Sequence, residues 1–149
     1  MKPDILIVEA LFYPHLAKAL LEGATAALKE AGARFERVGV PGALEIPPVI
    51  LLAARAAEKG GKTYDGFVAL GCVIRGETYH FEIVAQQSAA GLMELGVHHG
   101  LCIGNGILTC ETEEQAMARA APDGGDKGGH AARACLALIE ARAHLERAR

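Results

Sequence analysis

Tryptophan is absent, and the aromatics number only four Phe and three Tyr in 149 residues, so an aromatic placed near a strand end stands out. There is no surplus of positive charge: 15 Lys and Arg face 18 Asp and Glu, a formal net charge of -3. That balance gives no electrostatic reason to bind a nucleic-acid backbone or an anionic membrane, and any bound anion must be held by a local set of donors. Long apolar runs are missing too. The first, residues 5–8, is far shorter than a signal-peptide core or a membrane span, so a cytoplasmic protein is expected. Four cysteines, Cys72, Cys102, Cys110 and Cys135, show no Cys-x-x-Cys spacing, and three lie in or beside apolar runs. Small, reduced core residues are expected rather than disulfides or metal ligands. Internal repeats and low-complexity tracts are also lacking.

What is present is ordinary for a globular chain, 51% hydrophobic and 22% charged with 18 glycines. The length suits a single domain over residues 1–149, and a domain of that size buries roughly 68–70% of its unfolded-chain surface. Short apolar runs alternate with longer helical patterns, the signature of a parallel sheet covered by helices on both faces. Strands are expected at residues 5–8, 35–38, 66–70 and 101–108, buried on both faces because polar alternation is slight. Helices are expected at about 15–31, 46–59, 79–95, 113–121 and 128–148. Pro47 and Pro48 suit a first helical turn, where a missing amide proton is harmless. Thr112 and Gln115 form a capping box, and Thr78 is a plausible N-cap. Phe81, Val84, Ala85, Ser88, Leu92 and Leu95 recur at spacings of three and four, which directs one stripe at the sheet. The glycine-rich stretch 124–129 lacks nucleotide P-loop spacing and reads as a flexible connection. Gly104-Asn105-Gly106 marks a bulge or a close approach by another backbone or a ligand.

Ligands of open parallel sheets bind beyond the carboxyl ends of the strands, which directs attention to residues 9–15, 39–45, 71–80 and 109–111. The densest constellation is Gly71-Cys72-Val73-Ile74-Arg75-Gly76-Glu77-Thr78-Tyr79-His80, a strand end turning into a helix start. Free amides there, with Gly76 permitting close approach and Thr78 adding a hydroxyl, suit a phosphate. His80 falls in the first helical turn, and imidazole is the side chain that exchanges protons near neutral pH. The plainer alternative is a capping Thr78 beside a surface His80. Glu45, between a strand and a helix, is either a hydroxyl acceptor over the sheet end or a partner of the helix dipole. Phe12 is either a platform for a planar ring or a packing residue. Arg119 and Lys127 read by default as solvated charges.

Together these segments resemble the lumazine synthase family over nearly the whole chain. Five blocks carry the resemblance: Pro41-Gly42-Ala43-Leu44-Glu45-Ile46-Pro47, the run from Gly71 to His80, Asn105-Gly106-Ile107-Leu108-Thr109, Glu114-Gln115-Ala116 with Arg119-Ala120, and Asp126-Lys127-Gly128. The resemblance implies a flavodoxin-like three-layer α/β/α sandwich with a four-stranded parallel sheet, a homopentamer, and active sites shared between neighbouring subunits. By the same resemblance, Phe12 stacks on a pyrimidine, Glu45 with the backbone of Ala43 and Leu44 holds ribityl hydroxyls, and Val73 and Ile74 meet the pyrimidine through backbone. Gly76, Glu77, Thr78 and Arg119 grip phosphate, His80 moves protons, and Asn105, Arg119 and Lys127 come from the adjacent subunit. Three positions depart from the family pattern: Leu11 where many relatives have Arg, Asn105 where others have Phe, and Asp126 in place of the commoner Asn.

The activity so implied joins 5-amino-6-ribitylaminopyrimidinedione to 3,4-dihydroxy-2-butanone 4-phosphate, giving 6,7-dimethyl-8-ribityllumazine, the penultimate step of riboflavin biosynthesis. No cofactor or metal is expected, and the sequence offers neither a clustered ligand set nor a Ser or Cys triad. The rival readings are a non-catalytic flavin- or pterin-binding or shell-forming homologue, which retention of His80 and Arg119 disfavours, and an electron-transfer flavodoxin. The segment 9–15 lacks the Ser/Thr-rich phosphate cradle of the latter.

Overall fold

In the computed structural model, which describes residues 2–148, strand and helix alternate as the hydrophobic pattern demands. The order is β1 (Asp4–Ala10), α1 (Pro14–Glu30), β2 (Arg34–Val40), a 3-10 turn (Ala43–Glu45), α2 (Ile46–Glu58), β3 (Gly66–Ile74), α3 (His80–His99), β4 (Ile103–Cys110), α4 (Glu113–Ala120) and α5 (Lys127–Arg147). The strands form a sheet in the order β2-β1-β3-β4, and every neighbouring pair is parallel. Because successive strand side chains point to opposite faces, Ile5, Ile7, Val68, Leu70 and Leu108 pack against α1, α4 and α5. Leu6, Val8, Ala10, Phe67 and Ala69 pack against Ile46 and Ile50 of α2 and Leu92 and Leu95 of α3. The result is the expected three-layer α/β/α sandwich.

The central strands β1 and β3 are buried nearly throughout, but β2 departs from expectation. It is an edge strand and mostly exposed, Val38 included, because β1 covers only one of its two edges. Its Arg37 Nε donates to Glu9 at 2.8 Å, a carboxylate that is only 3% exposed. β4 begins two residues later than expected, at Ile103. The preceding helix accounts for the shift: the apolar stripe of α3 ends at Leu95, yet the helix runs on to His99 and stops at Gly100, whose φ of 67° is left-handed. The Leu101 amide then donates to the Leu95 carbonyl at 3.3 Å, so Leu101 closes the helix and is unavailable to the strand.

The glycine-rich stretch is a packed junction, contrary to the flexible connection expected. A Cβ on Gly128 would meet the Leu20 carbonyl oxygen at 2.0 Å, and one on Gly125 would meet the Arg119 Cα at 2.8 Å, so bare backbone lets α5 lie against α1. Asp126 has a left-handed φ of 47° and caps α5 by accepting from the Gly129 amide at 3.3 Å. Its other oxygen lies 3.4 Å from Arg133, which offsets the charge added beside Lys127. Gly104-Asn105-Gly106 lies in unbroken register opposite Val68-Ala69-Leu70. The glycines there mark the close approach of a backbone and not a bulge, since a Cβ on Gly104 would meet the Ala131 carbonyl oxygen at 1.8 Å.

Thr112 caps α4, its Oγ1 accepting from the Gln115 amide at 3.1 Å, but the return bond of the expected capping box misses the Thr112 amide by one residue. Gln115 Oε1 reaches back to the Glu111 amide at 2.8 Å. Thr112→Ala should destabilise the protein by about 1 kcal/mol, measured as a lower midpoint of thermal unfolding. No change would mean the cap is dispensable. Thr78 was expected to cap α3 from the residue before Tyr79. The helix instead begins at His80, and Thr78 Oγ1 makes a long 3.4 Å contact with the His80 amide.

The cysteines are all free, with Cys102, Cys110 and Cys135 buried. Burial pushes the Cys135 thiol up to about 12. Among the described residues, no helix is long and apolar enough to cross a membrane.

Candidate active site

Chain order places the reversal of sheet direction between β1 and β3, since β1 leads through α1 outward to β2 whereas β3 lies on its other side. Such a switch point opens a crevice at the carboxyl ends of the strands. A cleft of about 460 Å³ lies there. Phe12 and Tyr13 reach it from the end of β1, residues 41–45 from the end of β2, Cys72, Val73, Ile74 and Gly76 from β3 and its extension, and Thr78, His80, Phe81 and Val84 from the start of α3. Thus Phe12, Ala43, Leu44, Glu45, Val73, Ile74, Gly76, Thr78 and His80, separated by up to 68 positions in sequence, share one cavity.

Each wall has a local cause. Phe12 is 70% exposed because Pro14 starts α1 at once, leaving Phe12 in the bend with its ring edge-on to Tyr13 at 4.9 Å. Pro47 likewise lies at the start of α2, so the chain arriving from β2 turns through Ala43–Glu45. One Glu45 oxygen accepts from the Gly42 amide at 2.9 Å. The carboxylate holds its own turn, and a carboxylate retains acceptor capacity beyond a single bond. Gly76 has no positive φ, and an added Cβ would meet nothing within 4 Å. The fold does not require glycine there, and the open space suits a ligand.

The wall is largely uncharged. Burial, reinforced by the neighbouring Cys110, pushes the Cys72 thiol up to about 12, and desolvation, followed by Cys72 and Glu113, raises the Tyr13 phenol. Both are therefore neutral at pH 7. Tyr13, Pro41, Gly42, Cys72, Phe81 and Val84 line the cleft although sequence reasoning did not assign them to it. Phe81 and Val84 belong to the α3 stripe that reads as packing, and Cys72 reads as core; Tyr13, Pro41, Gly42 and Cys72 nonetheless lie in the strand-end segments, the one local signal that pointed to them. Behind the cleft, Arg75 pairs with Glu82 and lies 2.9 Å from Glu111. Among the described residues, no group of three or more His, Cys, Asp or Glu is placed to hold a metal ion.

A family model described as 6,7-dimethyl-8-ribityllumazine synthase matches residues 2–143. The chain belongs to the 6,7-dimethyl-8-ribityllumazine synthase family. It is 60% identical over 146 residues to the 6,7-dimethyl-8-ribityllumazine synthase 1 of Rhizobium meliloti strain 1021, covering 97% of this chain and 95% of the relative. It is 58% identical over 144 residues to the 6,7-dimethyl-8-ribityllumazine synthase of Agrobacterium fabrum strain C58, covering 97% of each. The protein of the same name from Methylocella silvestris is 61% identical over 133 residues, covering 89% of this chain and 81% of the relative.

In this lumazine synthase family member, four of the candidate residues do not line the cleft of their own chain. Glu77 is exposed on the loop before α3. Asn105 is exposed on the edge strand β4, its side-chain oxygen accepting from the Ile107 amide at 2.9 Å. Arg119 is exposed on α4 and donates to the Gln115 carbonyl at 3.0 Å. Lys127 is exposed at the first position of α5.

Proposed function

We propose that the protein condenses 5-amino-6-ribitylaminopyrimidinedione with 3,4-dihydroxy-2-butanone 4-phosphate, yielding 6,7-dimethyl-8-ribityllumazine, phosphate and water. The single observation that carries this reading is the shared cleft of Phe12, Glu45, Thr78 and His80 in a chain of the lumazine synthase family. Phe12 is the stacking platform and Glu45 the acceptor for ribityl hydroxyls. The backbone of Ala43, Leu44, Val73 and Ile74 orients the pyrimidine. Gly76, Glu77 and Thr78 cradle the phosphate. The pyrimidine's 5-amino group attacks the ketone and forms an imine with loss of water. Phosphate then leaves by elimination, and attack of the ribitylamino nitrogen on the remaining carbonyl closes the ring with loss of a second water. His80 carries protons to and from the reacting atoms. Holding two reactants in register supplies much of the rate, since well-oriented systems gain roughly 7–11 kcal/mol from proximity. Steady-state turnover with both substrates tests the assignment. Saturable pyrimidine binding with no lumazine formed would contradict it.

The working unit in this proposal is a single domain over residues 1–149 that acts in the cytoplasm as a homopentamer. Support comes from Leu52 of α2 and Ile83, Met93 and Val97 of α3, large apolar side chains left exposed on the helical layer. An interface between subunits would cover them. Asn105, Arg119 and Lys127, outside their own cleft, then serve a neighbour's site. Because an exposed guanidinium on phosphate makes charge-assisted bonds, Arg119→Ala should raise KM for the ketose phosphate about 10- to 100-fold while leaving pyrimidine affinity within about twofold. Mixed pentamers of Phe12→Ala and Arg119→Ala chains should regain activity, because some sites receive both intact residues. Absence of recovery in verified mixtures would argue against sharing.

A further inference from the structure

We propose that Arg75 is a positioning residue for the reaction above, holding the phosphate loop and the His80 turn in working register without touching substrate. The inference rests on the proposed function and deepens it. The segment from Gly76 to Tyr79 is exposed throughout and belongs to neither β3 nor α3. Before it, the Arg75 amide donates to the Cys110 carbonyl at 2.9 Å, and after it the Glu82 amide donates to the Tyr79 carbonyl at 3.1 Å. A loop fastened at its ends alone would lose much conformational freedom on gripping an anion, and that loss weakens binding.

The Arg75 side chain supplies a third fastening. Its Nη1 donates to Glu82, its Nε lies 3.1 Å and 2.9 Å from the two Glu111 oxygens, and its guanidinium stands 4.4 Å from the centre of the Phe81 ring. Phe81 and Glu82 are the two residues that follow His80. One planar cation therefore ties the β3 end to the first turn of α3 and to the segment that enters α4. Glu111 continues the chain of contacts, its amide donating to Gln115 Oε1, and Gln115 in turn accepts from Arg119 through its carbonyl. Arg75 is not among the cleft-lining residues, and its Nε and Nη1 are engaged by Glu111 and Glu82, so its part is to orient and not to bind phosphate. Arginine suits this task because its rigid fork meets two carboxylates while its face stacks on an aromatic.

Removing the cation also leaves two carboxylates near an anion, so charge and geometry must be separated. Glu82→Gln separates them, because it weakens the tie while removing negative charge. If positioning governs, Glu82→Gln should lower kcat/KM for the ketose phosphate about 3- to 10-fold and Arg75→Ala about 10- to 100-fold. The inhibition constant of inorganic phosphate should rise in parallel, with pyrimidine affinity held within about twofold. Arg75→Lys should fail to restore the wild-type value. Unchanged or tighter phosphate inhibition in Glu82→Gln would overturn the proposal, as would equal losses for both substrates in Arg75→Ala. If Arg75→Ala does not fold, the Glu82→Gln result decides. Wild-type turnover is measured first: its absence would defeat the functional reading, whereas an active wild type with indifferent variants would defeat only the role of Arg75.

Discussion

Replacing His80 by alanine should lower kcat by about 10²- to 10⁴-fold, the usual contribution of a positioned general acid-base group. KM for each substrate should change by less than about threefold, because the proposed pyrimidine contacts and phosphate cradle lie on other residues of the cleft. The side chain of His80 reaches the cavity from the first turn of α3, next to Gly76 and Thr78 in the same lining. In the proposed reaction an imidazole there serves the leaving phosphate and the carbonyl that becomes an imine. Steady-state kinetics of the wild type and the variant give the decisive comparison. A fall below about tenfold would move proton transfer to solvent or to the substrate's own phosphate, and the role of His80 would be lost.

The second large effect concerns stability. Gly104→Ala should destabilise the protein by about 3 kcal/mol or more, because forced overpacking costs 1–3 kcal/mol and sometimes more. The methyl would have to occupy a point 1.8 Å from the Ala131 carbonyl oxygen and 3.2 Å from the Cys135 amide nitrogen. Both are backbone atoms of α5, so relief requires the whole helix to move off β4. In a chain of this size each kcal/mol lowers the unfolding midpoint by roughly 2–4 °C, so a fall of roughly 6–12 °C is expected in a thermal scan. Gly76→Ala is the control. Its methyl would meet no atom within 4 Å, and the midpoint should hold. A Gly104→Ala protein as stable as the wild type would mean that α5 sits farther from the sheet than described.

How much of this could be read from the amino acids follows from what each segment has to satisfy. β1 and β3 are legible because both of their faces are buried, which leaves unbroken apolar runs. β2 is misread as buried because four residues are too few to distinguish an edge from a centre. Glu36 and Arg37, which flank the exposed side, are the hint. The end of α3 eludes the hydrophobic stripe because helical geometry outlasts burial by a turn, until Gly100 stops it. The junction at 124–129 eludes reading for a related reason. Glycine signals either freedom or contact, and only the position of Leu20 decides.

The cleft was legible in outline, since strand ends of a parallel sheet converge whatever their sequence, and Phe12, Glu45 and His80 all lie in such ends. Arg119 and Lys127 carry no local signal: nothing in helix spacing distinguishes a solvated charge from a ligand of another subunit, so their candidacy came from family resemblance. Arg75 lies in the run from Gly71 to His80, yet its carboxylate partners are 7 and 36 positions away, and only the folded chain joins them.

The buried Glu9 and its Arg37 partner have a consequence for how the chain avoids misassembly. If β2 slid along β1 by one residue, every side chain on it would exchange faces. Arg37 would swing to the opposite surface, and a carboxylate sealed from water would lack its counter-ion. A hydrophobic pair at these positions would tolerate the slip far better. The ionic pair thus works as a keyed joint, penalising near-miss alignments of an outer strand whose own apolar content is too low to select the proper one.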